Sequence, residues 1–494
     1  MDAYADNVLH NNSVIMQKTI ERKLNRSLSR RLRRFRNIMH SDIRSTLQHV
    51  KNEIDAVLSE NFNKSDFKNT DGTRIGKLTE KTKGLFTHLK DHKGKLFYTM
   101  FPIQQVEWQM LKVQFIFTAD KTTNVEIISE YAGINSTLVI TTGVAYINIP
   151  NLVINLETGR TYTTILISAD QPITVVVFFS QVYCSNECKS SSFIILPFIV
   201  LGTEYSLITL PNNNQNCGII TTATNTTVVI ESASERNITV GSSTIHPGQT
   251  FNIIVLDYLE GFLIQTNNNL TAWKIFANKP IAVISGNKYT FFKESYTYFP
   301  YCYKYHCYTD IVYESLIPVD KWVRHYVIPL LHKASKNTTI TITDNAAWST
   351  TKQEDRIEVT LSPKSYFVSS SQPILLSLYA FTDNKGIAMM IVPGIEHFSR
   401  QYVIAPPKDP IHTSYISIMI KSSDVDGLRF IGNLLSVEST VIMARNESFS
   451  IVVKKLAGHS VYKIRHVSRN ALYGVIVYGF GDSTAYAYPA GFRF

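Results

Sequence analysis

The order of apolar and polar residues changes character near residue 95. Before it, apolar positions recur at steps of four and three: Ile20, Leu24, Leu28, Leu32, Phe35, Met39, Ile43, Leu47, Val50, Ile54 and Leu58. That spacing draws one stripe along a helix and predicts a basic amphipathic α-helix within residues 1–60. Residues 61–93 are polar and read as a linker. From Lys95 onward the pattern becomes alternation and short β-branched runs, which predicts strands to the C-terminus.

Within that β region one block recurs. "DQPITVVVFFSQ" (170–181), "NKPIAVISGNKYT" (278–290) and "SQPILLSLYAFT" (371–382) each set a polar pair before a proline and a mostly apolar run. "RNALYGVIVYGFG" (469–481) has the same shape without the proline. A β-branched strand precedes each block: "NVEII", "NTTVVI", "NTTITI" and "SYISIMI". Before those comes a Pro-marked pair of strands, as in "LPFIVLGTEYSLITLP" (196–211) and "IPVDKWVRHYVIPLL" (317–331). The pattern predicts four divergent copies, roughly 94–190, 191–308, 309–386 and 387–494. The expected fold is mainly β, with tandem antiparallel β-sandwich-like repeats behind the N-terminal helix. Each proline is expected at the entry of a buried strand, where its missing N–H lies outside the ladder.

Composition changes this picture in one respect. Hydrophobic residues are 44% and charged ones 18%, a globular balance over 494 residues. The net charge of +10 is concentrated. Residues 1–95 hold 20 Lys+Arg against 11 Asp+Glu, and the rest hold 29 against 28. A nucleic-acid partner for the whole chain is therefore not expected. The block at residues 20–36 instead offers a membrane surface, or the solvated face of a packing helix. No apolar run reaches the ~20 residues a spanning helix needs, and residues 1–20 do not read as a secretory leader.

Candidate chemistry is sparse. Phosphate-binding, dinucleotide-binding, nucleophile-elbow and HExxH motifs are all lacking, so no catalytic, cofactor or metal residues are assigned. Four of the five cysteines form close pairs, Cys184 with Cys188 and Cys302 with Cys307; the fifth is Cys217. Disulfides in an oxidising compartment are expected. A zinc site built from Cys302, His306 and Cys307 with Cys184 and Cys188 is the alternative. Sequons at Asn135, Asn225, Asn237, Asn269, Asn337 and Asn446 are candidate glycosylation sites, and three more lie at Asn11, Asn25 and Asn63. The run 289–308 holds Tyr289, Phe291, Phe292, Tyr296, Tyr298, Tyr301, Tyr303 and Tyr305. It reads as a recognition loop or as a packed bridge between repeats. "SSDVDG" (422–427) is a fragment of a calcium loop and reads as a plain turn.

An ordered set of motifs adds a resemblance. "GKLFYTMFP" (94–102), "SSFIILPFIVLGTEYSL" (191–207), "LTAWKIFANKPIAVISGN" (270–287), "CYTDIVYESLIPVDKWVRHYVIPLL" (307–331) and "VYGFGDSTAYAYPAG" (477–491) resemble the N-terminal domain of the IgGFc-binding protein family. The resemblance covers about 94–494. It implies an extracellular, non-enzymatic binding or adhesion module with a protein or glycan ligand, in a mucus or host-defence setting. It carries no ligand-specific motif. The alternative is an intracellular or membrane-surface scaffold targeted by the basic helix.

Overall fold

Strands fill the β region in this computed structural model, which describes residues 92–494 except for several stretches. The longest of these are 103–109, 150–157, 183–188, 294–306, 332–337 and 345–355. The expected helix over 1–60 and nearly all of the linker over 61–93 lie outside the described residues. The described residues all belong to one compact unit, Thr87–Phe494. Among them, no helix is long and apolar enough to cross a membrane.

The first sheet is built from Gly94–Thr99 (β1), Met110–Ala119 (β2), Thr123–Ser129 (β3), Ile134–Ile140 (β4), Val144–Ile149 (β5), Ile165–Val182 (β7) and Ser190–Ile195 (β8). Its order is β4-β3-β7-β2-β5, with β1 and β8 on the long β7. The short Gly159–Thr161 (β6) leaves this sheet to pair with the second. The second sheet uses Gly202–Ser206 (β9), Gln215–Thr221 (β10) and Thr226–Glu231 (β11). After the small hairpin Ile238–Val240 (β12) and Ser243–Ile245 (β13) it adds Thr250–Leu256 (β14), Gly261–Thr266 (β15) and Lys274–Asn287 (β16). A second hairpin, Phe292–Lys293 (β17) with Cys307–Tyr308 (β18), precedes its last strand, Val312–Ser315 (β19). The order is β14-β11-β16-β10-β15-β6, with β9 and β19 on β16.

The third sheet holds Val323–Ile328 (β20), Thr338–Asp344 (β21), Arg356–Leu361 (β22), Tyr366–Phe381 (β23) and Ile387–Ile391 (β24), centred on the long β23. The last stretch forms two sheets. Gln401–Ile404 (β25) and Thr413–Lys421 (β26) are followed by Leu428–Phe430 (β27), Asn433–Leu434 (β28), Ser439–Ala444 (β29) and Glu447–Lys455 (β30). Tyr462–His466 (β31), Tyr473–Phe480 (β32) and Ala485–Pro489 (β33) complete it. The orders are β25-β31-β27-β28 and β29-β30-β26-β32-β33. All pairings are antiparallel. Strands β8, β19 and β24 each hydrogen-bond back to the long strand before them.

The repeated prolines are not at strand entries. Pro172, Pro280 and Pro373 lie inside β7, β16 and β23. At each the partner strand's register slips: Leu96 faces Ser168 but Gly94 faces Ile173, Phe276 faces Glu204 but Ile281 faces Gly202, and His325 faces Ser369 but Val323 faces Ile374. The proline sits in a bulge, the one interior place where a missing N–H costs no ladder bond. The long strand bends there, and its second half pairs with different neighbours. The fourth block, which lacks the proline, holds the shorter β32, and β31 stands before it as a separate strand.

Those registers expose a second repeat. Three residues after Gly94, Gly202, Val323 and Ser399 stand Phe97, Tyr205, Tyr326 and Tyr402. The Tyr205 hydroxyl donates to the carbonyl of Ile281 at 2.6 Å, that of Tyr402 to Tyr473 at 2.8 Å, and that of Tyr326 to Ile374. Each acceptor follows the proline joint or its counterpart. Phe97 fills the same place without a hydroxyl.

The sheets follow one another by close contacts. A Cβ on Gly94 would lie 2.2 Å from Pro197 Cβ, and one on Gly202 2.5 Å from Pro318 Cβ. At the next junction the bulk is exchanged, and a Cβ on Gly394 would meet Val323 Cγ2 at 2.2 Å. Strands β8, β19, β24 and β33 pack in a cycle, β33 returning to β8. The ends close the ring. His92 stacks on Tyr402 at 5.8 Å, its amide donates to the Phe492 carbonyl at 2.7 Å, and Thr118 Oγ1 donates to the Val403 carbonyl at 3.0 Å.

Candidate functional site

Large apolar side chains are exposed at one place where the first two sheets meet. Tyr98 on β1 is buried, and its ring lies 6.0 Å from Phe198 and 6.3 Å from Tyr258. Phe198 and Ile199 project from the turn Phe198–Val200, and Ile199 is 57% exposed. Tyr258, in the turn between β14 and β15, is 44% exposed, and Tyr162, just past β6, is 61% exposed. Leu259 holds a left-handed φ of 63° in that turn.

Beneath them Glu260 braces the surface. Its carboxylate accepts from Arg160 at 3.1 and 3.3 Å and from the Asp257 amide at 2.8 Å. Burial works to raise its proton affinity, yet the Asp257 amide, Arg160 and Tyr162 together hold the carboxyl below its usual range. Burial also pushes the Tyr98 hydroxyl up, and Tyr258 adds to it. The result is a set of rigid two-torsion aromatics with polar tips and a fixed arginine. This is the composition of a protein-contact surface. None of these residues was singled out in the sequence. They come from four separated segments, and strand alternation does not say which outward faces adjoin.

A second constellation has the spacing of a catalytic triad. Ser190 Oγ lies 3.0 Å from His412 Nε2, and His412 Nδ1 lies 2.8 Å from Asp409 Oδ2. Burial would raise the Asp409 carboxyl, but His412, the Ile411 amide and Lys112 together more than offset it and the group sits below its usual range. Ser190, however, is 0% exposed. Its hydroxyl already meets Thr484 Oγ1 at 2.6 Å and the Ala485 carbonyl at 3.0 Å. Its amide, which an acyl-transfer site would aim at an oxyanion, donates instead to the Asp310 carboxylate at 2.7 Å. No room exists for a substrate, and the group packs the seam between the first and last sheets.

The sequence-predicted residues are scattered. Cys217 is buried in β10 as a free thiol, and burial pushes its proton affinity up. Cys307 faces Lys293 and Phe292 faces Tyr308 in the β17–β18 hairpin. Cys184, Cys188, Cys302, Tyr289, Phe291, Tyr296, Tyr298, Tyr301, Tyr303, Tyr305, Asn337 and Asn446 lie outside the described residues. Asn135 is exposed on β4. Asn225 is exposed, with a φ of 54°, immediately before β11. Asn237 is exposed and accepts from His246 Nδ1 at 2.9 Å. Asn269 differs: its Oδ1 accepts from the Thr271 amide at 2.9 Å, and its Nδ2 is enclosed. Residues Ser422–Gly427 form a 3-10 turn whose Asp424 carbonyl accepts from His466 Nε2 at 2.7 Å. Among the described residues no group of three or more His, Cys, Asp or Glu is placed to hold a metal. A groove of about 540 Å³ on the first sheet is lined by Glu126, Asp170, Asn124 and Val139.

Comparison with known proteins adds a family. A family model described as IgGFc binding protein matches residues 191–479. The human IgGFc-binding protein is 26% identical over 144 residues, which is 28% of this chain and 2% of that protein. The chain therefore spans a small fraction of that relative's length. Two solved Escherichia coli alpha-2-macroglobulins, activated by porcine elastase and by trypsin, cover 80% and 81% of this chain, and 43% and 35% of their own lengths are covered. They are 9% and 6% identical with TM-scores of 0.12 and 0.11, too low to bear on the fold. The family match spans more than half of the sequence and runs from the second sheet into both of the last two, and on that ground the chain belongs to the IgGFc-binding protein family.

Proposed function

We propose that this chain is a non-enzymatic extracellular binding protein that recognises a protein ligand through the junction of its first two sheets. The observation that carries this reading is the exposed aromatic set Tyr162, Phe198, Ile199 and Tyr258, braced by Tyr98 and the Arg160–Glu260 pair. Family membership supports a binding role. The burial of Ser190 in the seam supports a non-enzymatic one. The region is read as four copies of one unit, supported by the recurring proline bulge and by the hydroxyl three residues into the edge strand of three of them. Extracellular life would place glycans on Asn135, Asn225 and Asn237 and leave Asn269, whose Nδ2 is enclosed, bare. It would oxidise the Cys184–Cys188 and Cys302–Cys307 pairs.

The test is photo-crosslinking. A benzophenone amino acid replaces Tyr162, Tyr258 or, as a control, the exposed Tyr131, and the chain is incubated in extracellular fluid from its source. One protein adduct shared by positions 162 and 258 and missing at 131 is expected. Equal adducts at all three positions, or none at 162 and 258, overturn the reading.

A further inference from the structure

The small sheet β25-β31-β27-β28 buries one face and leaves the other open. Tyr402, Tyr462, Ile464, Leu428 and Phe430 turn inward and join the main core. By alternation Gln401, Lys463, Arg465 and Arg429 share the opposite face. The register lines three of them up. Gln401 stands directly opposite Arg465 across β25 and β31, and Arg465 directly opposite Arg429 across β31 and β27. Side chains paired in this way leave the sheet about 5 Å apart. Gln401 and Arg465 are exposed, and Arg429 is half-buried.

Two like charges at that spacing oppose the pairing of their strands. No carboxylate offsets them. Among the described residues the ion pairs lie elsewhere, and Arg465, Arg429 and Lys463 enter none of them. Arg429 Nη1 donates to the carbonyls of Asp426 and Leu428 at 2.8 and 2.9 Å, which orients the guanidinium and leaves its charge unpaired. The Asp424 carboxylate, in the turn before β27, accepts instead from Ser423 Oγ at 3.3 Å. The shortage of carboxylates continues along the chain. Between Glu447 and Asp482 lie Lys454, Lys455, Lys463, Arg465 and Arg469, and no Asp or Glu. A row of aligned cationic donors, kept at a cost in strand pairing, has the chemistry of an anion-binding strip.

We propose that this face binds a sulfated polysaccharide, whose sulfate groups are held by Arg465 and Arg429 with Gln401 and Lys463 beside them. A flat strip suits a linear polyanion lying across strands about 4.8 Å apart. The guanidinium fork grips an oxyanion through two parallel N–H bonds, and the Gln401 amide adds a neutral donor. A nucleic-acid strand fits less well, because its bases call for rings to stack on. The exposed Phe and Tyr side chains of the described residues, Tyr131, Tyr162, Phe198 and Tyr258, all lie on the first two sheets or their turns. The inference goes beyond the protein-contact surface around Tyr258 and borrows from that reading only the extracellular setting.

The test is arginine footprinting of the full chain. Phenylglyoxal modifies accessible guanidiniums, and peptide mass mapping reads each position with and without a heparin oligosaccharide at about 0.1 M salt. Reading by position separates this face from the basic residues near the N-terminus. Arg465 and Arg429 should be protected, and the exposed Arg324 of β20 should not. Salt at about 0.5 M should release the protection, because screening then acts within a few ångströms. A desulfated oligosaccharide should give none. In Arg465→Gln the concentration that half-protects Arg429 should rise about tenfold, the loss of one charge-assisted contact. The same variant should melt no lower than the wild type, since the cross-strand repulsion is gone. Protection confined to residues 1–60, equal protection of Arg324, or unchanged protection in Arg465→Gln overturns the proposal. So does stronger protection by single-stranded DNA or by phosphatidylserine vesicles, which assigns the face to another polyanion. A lower melting temperature in Arg465→Gln also overturns it, by making the pair a brace of the fold. None of these readouts involves Tyr162 or Tyr258, so this inference and the protein-contact reading fail separately.

Discussion

At the scale of single residues, buried hydroxyls and imidazoles do work that their sequence neighbours do not reveal. Tyr205 donates to Ile281 and accepts from the Gly202 amide at 2.9 Å. Tyr205→Phe takes this partner from the buried Ile281 carbonyl and the half-buried Gly202 amide, so a loss of about 1–3 kcal/mol in chemical unfolding is expected. Phe97→Leu at the corresponding place in the first sheet removes no hydrogen bond and should show a packing loss alone. His397 is a second case. The Gly394 amide donates to its Nδ1 at 3.2 Å, and its Nε2–H donates to the Lys321 carbonyl at 2.8 Å, which fixes the neutral ring. Burial lowers its proton affinity to about 4, against the opposing pull of the Lys321 carbonyl and Glu396. The unfolded chain takes up the proton first, so stability falls as pH drops from about 6.5 to about 4. The expected loss is about 3 kcal/mol. His397→Gln should remove that slope in thermal melts across this window. An unchanged slope would place the acid sensitivity elsewhere.

At the scale of elements, the bulged long strand is the recurring device. Because Pro280 occupies a register break, Pro280→Ala should change stability by less than about 1 kcal/mol, the size of the backbone-entropy effect alone. Gly286, on the far side of the joint, is the opposite case. A Cβ there would sit 1.9 Å from the Val312 carbonyl oxygen, a backbone atom of β19 that cannot swing away. Gly286→Ala should cost about 3 kcal/mol or more, or prevent folding, because the whole of β19 must move. Solubility and melting of the two variants side by side check both. The proline blocks are legible in the sequence, but the structure puts their prolines inside long strands and not at strand entries. A proline before an apolar run looks the same at a strand entry and at a bulge, since only the partner's register separates them.

At the scale of the whole molecule, the sheets make a closed series in which the last packs on the first. The exposed sequons test the compartment proposed for it. Expressed through a secretory pathway, the chain should carry glycans at Asn135, Asn225 and Asn237 and none at Asn269, read by enzymatic deglycosylation in heavy-oxygen water and peptide mapping. Occupancy at Asn269 would contradict the enclosure of its Nδ2. Sequence could not rank these sites, because Asn-x-Thr looks the same whether the amide nitrogen faces solvent or the Thr209–Thr271 turn.

What the sequence determined by itself was local and additive. Alternation, β-branched runs and turn residues specify strands residue by residue, so the mainly β class was readable, as was the family, whose ordered motifs are stretches of core strand. The recurring block was readable too, since β7, β16, β23 and β32 each bury the apolar run it carries. Only the tertiary structure decided which strands adjoin, because antiparallel pairing joins residues hundreds of positions apart through backbone groups that every residue carries. For that reason the surface around Tyr162 and Tyr258, drawn from four segments, left no periodic trace. Arg429 and Arg465 looked like any surface arginines. Their alignment depends on β27 and β31 lying side by side in one register, an arrangement no local pattern encodes.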